Sequence, residues 1–337
     1  MKKITKIMGA ITLISAALCL TCACGGGEET SDSIECLDTL CTITIYDQSE
    51  DKAQEIIEQA FDQCEDLEDT LSKTVQGSDV DLINCAEGKS VKVSDDTIAV
   101  IKKGLYYSEL SDGAFDITVG RITDLWDFKA ENPQVPSEDA LTEAAATVDY
   151  TQVKVKGNKV TLANPEAKLD LGGIAKGYIA DQLETVLRDN GVGQAIINLG
   201  GNVVTIGSKE DDMGWNVGIE RPYSDRTEII GAVEMTDETI VTSGIYERMF
   251  EKDGTIYHHI IDPSTGMPST SDVEAVSIMA EDGHSVDCDA LSTICLLLGQ
   301  EKGMELIESL DGFEASFMDR DDNVTTTDGM KMTLIQQ

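Results

Sequence analysis

The stretch that most constrains the fold is Lys168 to Asp181, which reads KLDLGGIAKGYIAD. It predicts a strand ending in a carboxylate, Asp170, then a turn through Gly172 and Gly173, then a helix carrying Lys176. Free N–H groups at a helix N-terminus, together with the helix dipole, favour an anion there. Glycines let a ligand approach the backbone closely, and Lys176 could meet a phosphate as a point charge. A plain strand–turn–helix with Lys176 solvated accounts for the same residues. The stretch alone does not choose between the two readings.

Hydrophobic spacing places other elements around it. Cys36 to Tyr46 alternates and is rich in Thr and Ile, which predicts a strand. From Asp51 to Leu71, apolar residues recur at three- and four-residue spacing with acids opposite, an amphipathic helix. Ser94 caps a helix from Asp95 to about Ser111, closed by Gly113. Residues 127–140 read as a Pro-containing polar loop, and Val153 to Leu162 as a hairpin around Gly157-Asn158. Ala195 to Leu199 reads as a buried strand running into Gly200-Gly201-Asn202, with short strands following to Ile260. A strand at Ala275 to Ala280 precedes helices from about Asp289 to Leu298 and from Glu301 to Leu310. Antiparallel strands with helices grouped on them predict an α+β fold, not a doubly wound sheet.

The N-terminus reads as a targeting segment. Lys2, Lys3 and Lys6 precede an apolar run from Ile11 to Leu20, then small residues and Cys24. The run is shorter than the ~20 residues of a membrane span. Residues 1–23 are therefore expected to be a signal peptide, Cys24 a lipidation site, and 24–35 a flexible tether holding the chain on the extracytoplasmic face of the cell membrane. The formal charge of -38 makes nucleic acid an unsuitable partner, because phosphate binding needs a basic surface. It also repels any anionic substrate, so local cations gain weight. Cys36, Cys41, Cys64, Cys85, Cys288 and Cys295 contain no CxxC pair, which argues against a cysteine metal cluster.

Further candidates carry chemistry. Asp289 and Thr293, four apart in a helical pattern, share a face. A carboxylate and a hydroxyl suit Mg²⁺ better than zinc or copper, though a helix acid and a satisfied threonine explain them too. GAFDITVG at 113–120 sets Phe115 and Asp116 at a helix exit, as ring platform and hydrogen-bond acceptor or as plain structure. His258 and His259 precede IIDPSTG, where a histidine or a nearby carboxylate could act as general base.

GAFDITVG, DLGGIAKG, NLGGN at 198–202, TSGIYER at 242–248, HHIIDPSTGMP at 258–268 and DCDALST at 287–293 occur in this order. Together they resemble the ApbE-type FAD:protein FMN transferases over nearly all of the chain after residue 36. The resemblance implies one α+β domain over 36–337, related to the T-fold. Its mixed and antiparallel sheets, with packed helices, would form two intimately associated halves. It implies FAD bound by Leu40, Thr74, Ala114, Phe115, Asp116, Asp170, Lys176 and Ile261. It implies Mg²⁺ held by Gly173, Asp289 and Thr293, with Asp287 in reserve, and catalytic roles for His259 and Asp262. In LSKTVQGSDVDLIN the family's aromatic is replaced by Thr74 or Val75. The implied reaction is Mg²⁺-dependent transfer of FMN from FAD to a Ser or Thr hydroxyl of a partner, releasing AMP. The implied acceptor is an exported or membrane-bound flavoprotein of an electron-transfer chain. Hydrolysis of FAD to FMN and AMP would use the same site. A lipoprotein that only binds flavin would have no need of a metal pair.

Overall fold

A computed structural model describes residues 29–128, 130–209, 213–224 and 228–335. The expected signal peptide and Cys24 lie outside the described residues. Strands β1 (Thr30–Cys36) and β2 (Thr39–Ile45) form a hairpin closed by Leu37 and Asp38, both in left-handed backbone at φ 56° and 60°. The single strand expected from Cys36 is thus the second arm of a hairpin, and its first arm occupies Thr30 to Glu35 of the expected tether. Helix α1 (Glu50–Leu71) buries the expected apolar stripe.

Helix α2 (Asp79–Asn84), strand β3 (Val91–Lys92) and helix α3 (Asp95–Leu110) follow. The Ser94 hydroxyl caps α3, accepting the Thr97 N–H at 3.1 Å. Helices α4 (Gly120–Trp126) and α5 (Glu138–Ala145) are additions to the sequence reading. Both are too short to display a clear period. Helix α5 occupies the end of the expected polar loop, with Ser137 as its cap. Strands β4 (Val153–Lys156) and β5 (Lys159–Leu162) form the expected hairpin.

After the glycine turn come α6 (Ala175–Asp189), β6 (Ala195–Leu199), β7 (Asn202–Ile206), β8 (Trp215–Glu220), β9 (Ile229–Met235) and β10 (Glu238–Gly244). The hairpin β11 (Met249–Lys252) and β12 (Thr255–His258) leads to β13 (Val273–Glu281), α7 (Ser285–Leu298) and α8 (Gln300–Glu308). Strands β14 (Phe313–Asp319), β15 (Val324–Thr326) and β16 (Met332–Leu334) end the described chain. Among the described residues, no helix is long and apolar enough to cross a membrane.

The architecture is α+β. One eight-stranded antiparallel sheet, ordered β1-β2-β6-β7-β10-β13-β14-β15, carries α1, α6 and α7 on one face. Alternation along each strand sends Ile43, Ile197, Val204, Val241 and Ile278 into the core beneath those helices. The small sheet β16-β9-β8 closes a second core with Val203, Ile240 and Met318. A third core joins α4 and α5 to the β11–β12 hairpin through Trp126, Phe250 and Tyr257.

Helices α6 and α7 cross antiparallel, and each caps the other. Asp289 of α7 accepts the Gly177 N–H in the first turn of α6 at 2.8 Å. Asp181 of α6 accepts the N–H groups of Ser285 and Val286, which open α7, at 2.8 and 3.0 Å. Neither helix has a side-chain cap of its own. Gly177 makes the crossing this close, since a Cβ there would meet the Ser285 carbonyl oxygen at 2.2 Å. Gly177→Ala is expected to destabilise the protein by about 1–3 kcal/mol, the usual effect of overpacking, measured by urea denaturation. An unchanged midpoint would show that the crossing yields freely.

Candidate functional site

The glycine turn is fixed before α6 begins. Lys168 makes only an isolated parallel bridge to Val119, so the expected strand into Asp170 shrinks to one bridge. Helix α6 starts at Ala175, beyond the glycines. Asp170 pins the turn: its Oδ1 accepts the Gly172 N–H at 2.9 Å, and its Oδ2 accepts the Thr123 hydroxyl at 2.6 Å. Lys73 pairs with the same carboxylate at 3.1 Å and with Asp124 at 2.8 Å. Burial opposes ionisation of Asp170, but Lys73 beside it holds its carboxyl below the ordinary range. Sequence reasoning missed Lys73. The available signal was a lone cation in the loop LSKTVQG. Thr74 beside it is exposed, with its hydroxyl 3.0 Å from that of Ser72.

Gly173 faces α7. A Cβ built on it would lie 3.1 Å from the Phe115 ring and 3.5 Å from the Thr293 hydroxyl. One turn along α7, Asp289 is 3% exposed. Its Oδ2 takes the Gly177 N–H, and the described residues give its other oxygen no hydrogen bond. Burial raises the Asp289 carboxyl above its ordinary range, while Lys176 and the Gly177 N–H pull it back. Gly173, Phe115 and Thr293 therefore lie together, with Asp289 one turn away on α7 and Ala114 next to Phe115 in the chain.

Lys176 stands in the first turn of α6, half-buried, with its ammonium 3.5 Å from the Gly200 carbonyl oxygen. Gly200 adopts φ +63°, and a Cβ there would meet the Thr39 hydroxyl at 2.2 Å. Leu40, next to Thr39 in β2, is 53% exposed at this rim. Among the described residues, the Thr39 hydroxyl, both amide atoms of Asn202, and Nδ1 of His259 are buried and find no hydrogen-bond partner. Such atoms are few in native cores and call for an explanation. Here they line up with the NLGGN turn and the surroundings of Lys176, which also acts electrostatically on His259 and on the exposed Glu247.

The motifs converge through specific bonds. The His259 N–H donates to the Arg248 carbonyl at 3.1 Å, joining HHIIDPSTGMP to TSGIYER. The hydroxyls of Ser243 and Ser292, 2.7 Å apart, join TSGIYER to DCDALST. The Trp126 indole donates to the Gly266 carbonyl at 2.7 Å. Burial, then the charge of Arg248, pushes the His259 imidazole down to about 3, so it is neutral at pH 7.

Four expected residues make contacts within the protein itself. Asp116 is buried and accepts from the Thr118 N–H and hydroxyl and from the Tyr150 N–H, so it braces the scaffold. Asp262 accepts the N–H and hydroxyl of Ser264, shaping its own turn. Ile261 packs into the third core and bridges Pro268. Asp287 points away from Asp289, into a cluster of Lys103 at 2.5 Å, Tyr107 at 2.6 Å and His284 at 2.8 Å. Two residues along a helix face nearly opposite directions.

The chain matches the ApbE family model over residues 37–317. It is 35% identical over 342 residues to the FAD:protein FMN transferase of Treponema pallidum (strain Nichols), spanning 94% of this chain and 93% of that protein. It is 34% identical over 260 residues to the FAD:protein FMN transferase of Klebsiella pneumoniae (strain 342), spanning 76% of this chain and 80% of that one. Its fold is similar to the crystal structure of the ApbE protein from Thermotoga maritima, with a TM-score of 0.82 and 31% identity over 89% of this chain and 97% of that one. It is also similar to the flavin transferase ApbE from Vibrio cholerae, with a TM-score of 0.79 and 27% identity over 89% and 96%.

His258, beside the candidate base, gives a test of this region. It is buried, its Nε2 lies 3.1 Å from the Ser269 carbonyl oxygen, and burial pushes it down to about 4 from the ordinary 6.5. A depressed imidazole stabilises the fold fully above pH 6.5, and that contribution is lost as pH falls toward 4. His258→Gln can still donate to Ser269. Its melting temperature is expected to fall less than that of the parent between pH 6.5 and 4. Identical slopes would mean that His258 is solvated.

Proposed function

The chain belongs to the ApbE family and is an FAD:protein FMN transferase, and we propose that its reaction is Mg²⁺-dependent, takes a Ser or Thr hydroxyl as acceptor and releases AMP. The observation that carries this reading is Asp289, a 3% exposed carboxylate beside the Gly173 turn, Thr293 and Lys176. The donors fit Mg²⁺: an underused carboxylate oxygen, a hydroxyl and the Gly173 carbonyl are all hard oxygens, with diphosphate oxygens left to complete an octahedron. Bound there, the ion would neutralise charge on the diphosphate and steady the leaving phosphate.

The chain's own residues do the rest. The first turn of α6 and Lys176 offer positive potential to the diphosphate of FAD. Phe115 closes the floor behind Gly173. The acceptor hydroxyl attacks the flavin-side phosphorus, the bond to the AMP-side oxygen breaks, and FMN stays on the acceptor as a phosphoester. The hydroxyl proton passes to the neutral His259 imidazole or to Glu247. An imidazole held near 3 by burial, and then by the charge of Arg248, is a weak base. The entry of an anionic diphosphate beside Lys176 would raise its basicity.

Incubating the protein with FAD, Mg²⁺ and a candidate flavoprotein tests this reading. Covalent flavin on a Ser or Thr of the partner, with AMP released, supports it. FMN release regardless of the partner would make water the acceptor. Two variants sharpen the assignment. Asp289→Asn keeps an oxygen for the Gly177 N–H but loses the charge, and turnover should fall by roughly a hundredfold or more with FAD affinity little changed. Lys176→Ala should weaken FAD binding by about 1.5–3 kcal/mol and leave the ligand-free melt unchanged or slightly higher, since a cation in a first helical turn opposes the dipole. Titration calorimetry and melting curves check both. A lower melt with intact FAD affinity would make Lys176 structural.

We extend the proposal to placement: Cys24 carries a lipid that anchors the enzyme at the membrane near an exported or membrane-bound acceptor. The signal-like segment before Cys24 motivates this. Cys24→Ser should move the protein from the membrane fraction to the soluble one with its activity intact. Unchanged membrane retention would rule the lipid out as the anchor.

A further inference from the structure

Three thiols meet where the β1–β2 hairpin packs on α1. The Cys64 thiol lies 3.5 Å from the Cys36 sulfur. The Cys36 thiol donates to Glu68 Oε2 at 2.9 Å, and the Cys41 thiol donates to the Cys36 carbonyl oxygen at 3.4 Å. Glu68 is held in place by the Leu37 N–H on its other oxygen at 2.9 Å. Cys41 and Cys64 are fully buried, and Cys36 is 5% exposed. A buried cysteine usually serves as a small apolar side chain. A fixed carboxylate aimed at a thiol that already touches a second thiol goes beyond packing.

We infer that Cys36 and Cys64 are a disulfide-forming pair and that Glu68 is the base that primes Cys36. The chemistry needs a small disulfide oxidant, for which oxidised glutathione is the probe. Glu68 takes the Cys36 proton, and the thiolate attacks one sulfur of the oxidant, expelling one glutathione thiolate. Cys64, deprotonated in turn, attacks the Cys36 sulfur and expels the second. The protein loses two electrons and two protons, and two molecules of reduced glutathione carry them. Desolvation, then the neighbouring Cys36, raises the Glu68 carboxyl to about 7, so it can accept a proton near neutral pH. Cys36 begins the exchange because it alone of the three retains some exposure. Cys41, held to the Cys36 carbonyl oxygen, is lowered to about 4 by its hydrogen bonds to the Cys36 and Cys64 sulfurs, so a link through it is the competing outcome that the peptide map separates.

The bond would tie the β1–β2 hairpin to α1 and close the intervening loop, which restricts the unfolded chain. It would also bear on the nucleotide site, since β2 carries Thr39 against Gly200.

The test treats the full-length protein with oxidised or reduced glutathione, blocks free thiols under denaturing conditions and maps peptides by mass spectrometry. Cleavage after acidic residues separates Cys36 from Cys41 at Asp38. The expected result is a Cys36–Cys64 linked peptide in the oxidised sample alone, with Cys41 blocked. The oxidised protein should melt several degrees higher, a difference kept in Cys41→Ser and lost in Cys64→Ser. Glu68→Gln should form the same bond several-fold more slowly. If Cys64→Ser does not fold, the peptide map and Cys41→Ser still decide. Complete blocking of every thiol in both samples overturns the inference, as does a link through Cys41 or Cys85.

Discussion

The exchange of carboxylates between α6 and α7 is the interaction on which the rest depends. Each helix begins with N–H groups that its own sequence leaves uncapped, and each takes an acid from its neighbour. Burying two carboxylates is unfavourable, and the chemistry records it. Asp181 is raised to about 6, chiefly by desolvation. Asp289 is raised as well, for the same first reason. Backbone N–H donors and positive helix ends offset the loss of water. The geometry that satisfies α6 thereby brings a carboxylate, a lysine and a glycine turn to one point. The donors that the proposed cation would need thus follow from how two helices are closed off.

Much of this was legible in the chain. The apolar stripe of α1, the Ser94 cap, the hairpin at Gly157-Asn158 and the α+β class follow from spacing and turn chemistry. The family's motifs also named Gly173, Phe115 and Thr293, which the fold sets side by side. What escaped was decided by tertiary partners. Asp170 looks like a ligand acid until Lys73, far earlier in the chain, is seen to neutralise it. Asp116 and Asp262 look free until the Tyr150 and Ser264 N–H groups claim them. Gly177 looks like an ordinary helix glycine until the Ser285 carbonyl appears where its side chain would be. Short α4 and α5 carry too few turns for a period to show.

Charge sets the second constraint. In a chain of formal charge -38, a dianionic dinucleotide meets an opposing field over most of the surface. Many described cations are spent on acids: Lys73 on Asp124 and Asp170, Arg188 on Glu184, Asp237 and Asp282, Arg121 on Glu143 and Glu166. Lys176 differs in making its hydrogen bond to a carbonyl, that of Gly200. It stands at the site, where its charge acts on Asp289 and Glu247 without a direct ion pair among the described residues.

Asp287 and Asp289 sit about 200° apart around α7. One is fastened by Lys103, Tyr107 and His284 on the side of α3, and the other is turned toward α6. The two carboxylates are thus held unequally, Asp287 by three side chains and Asp289 by a single amide. One carboxylate is saturated as a structural tie, and the other keeps an oxygen to which the described residues give no hydrogen bond.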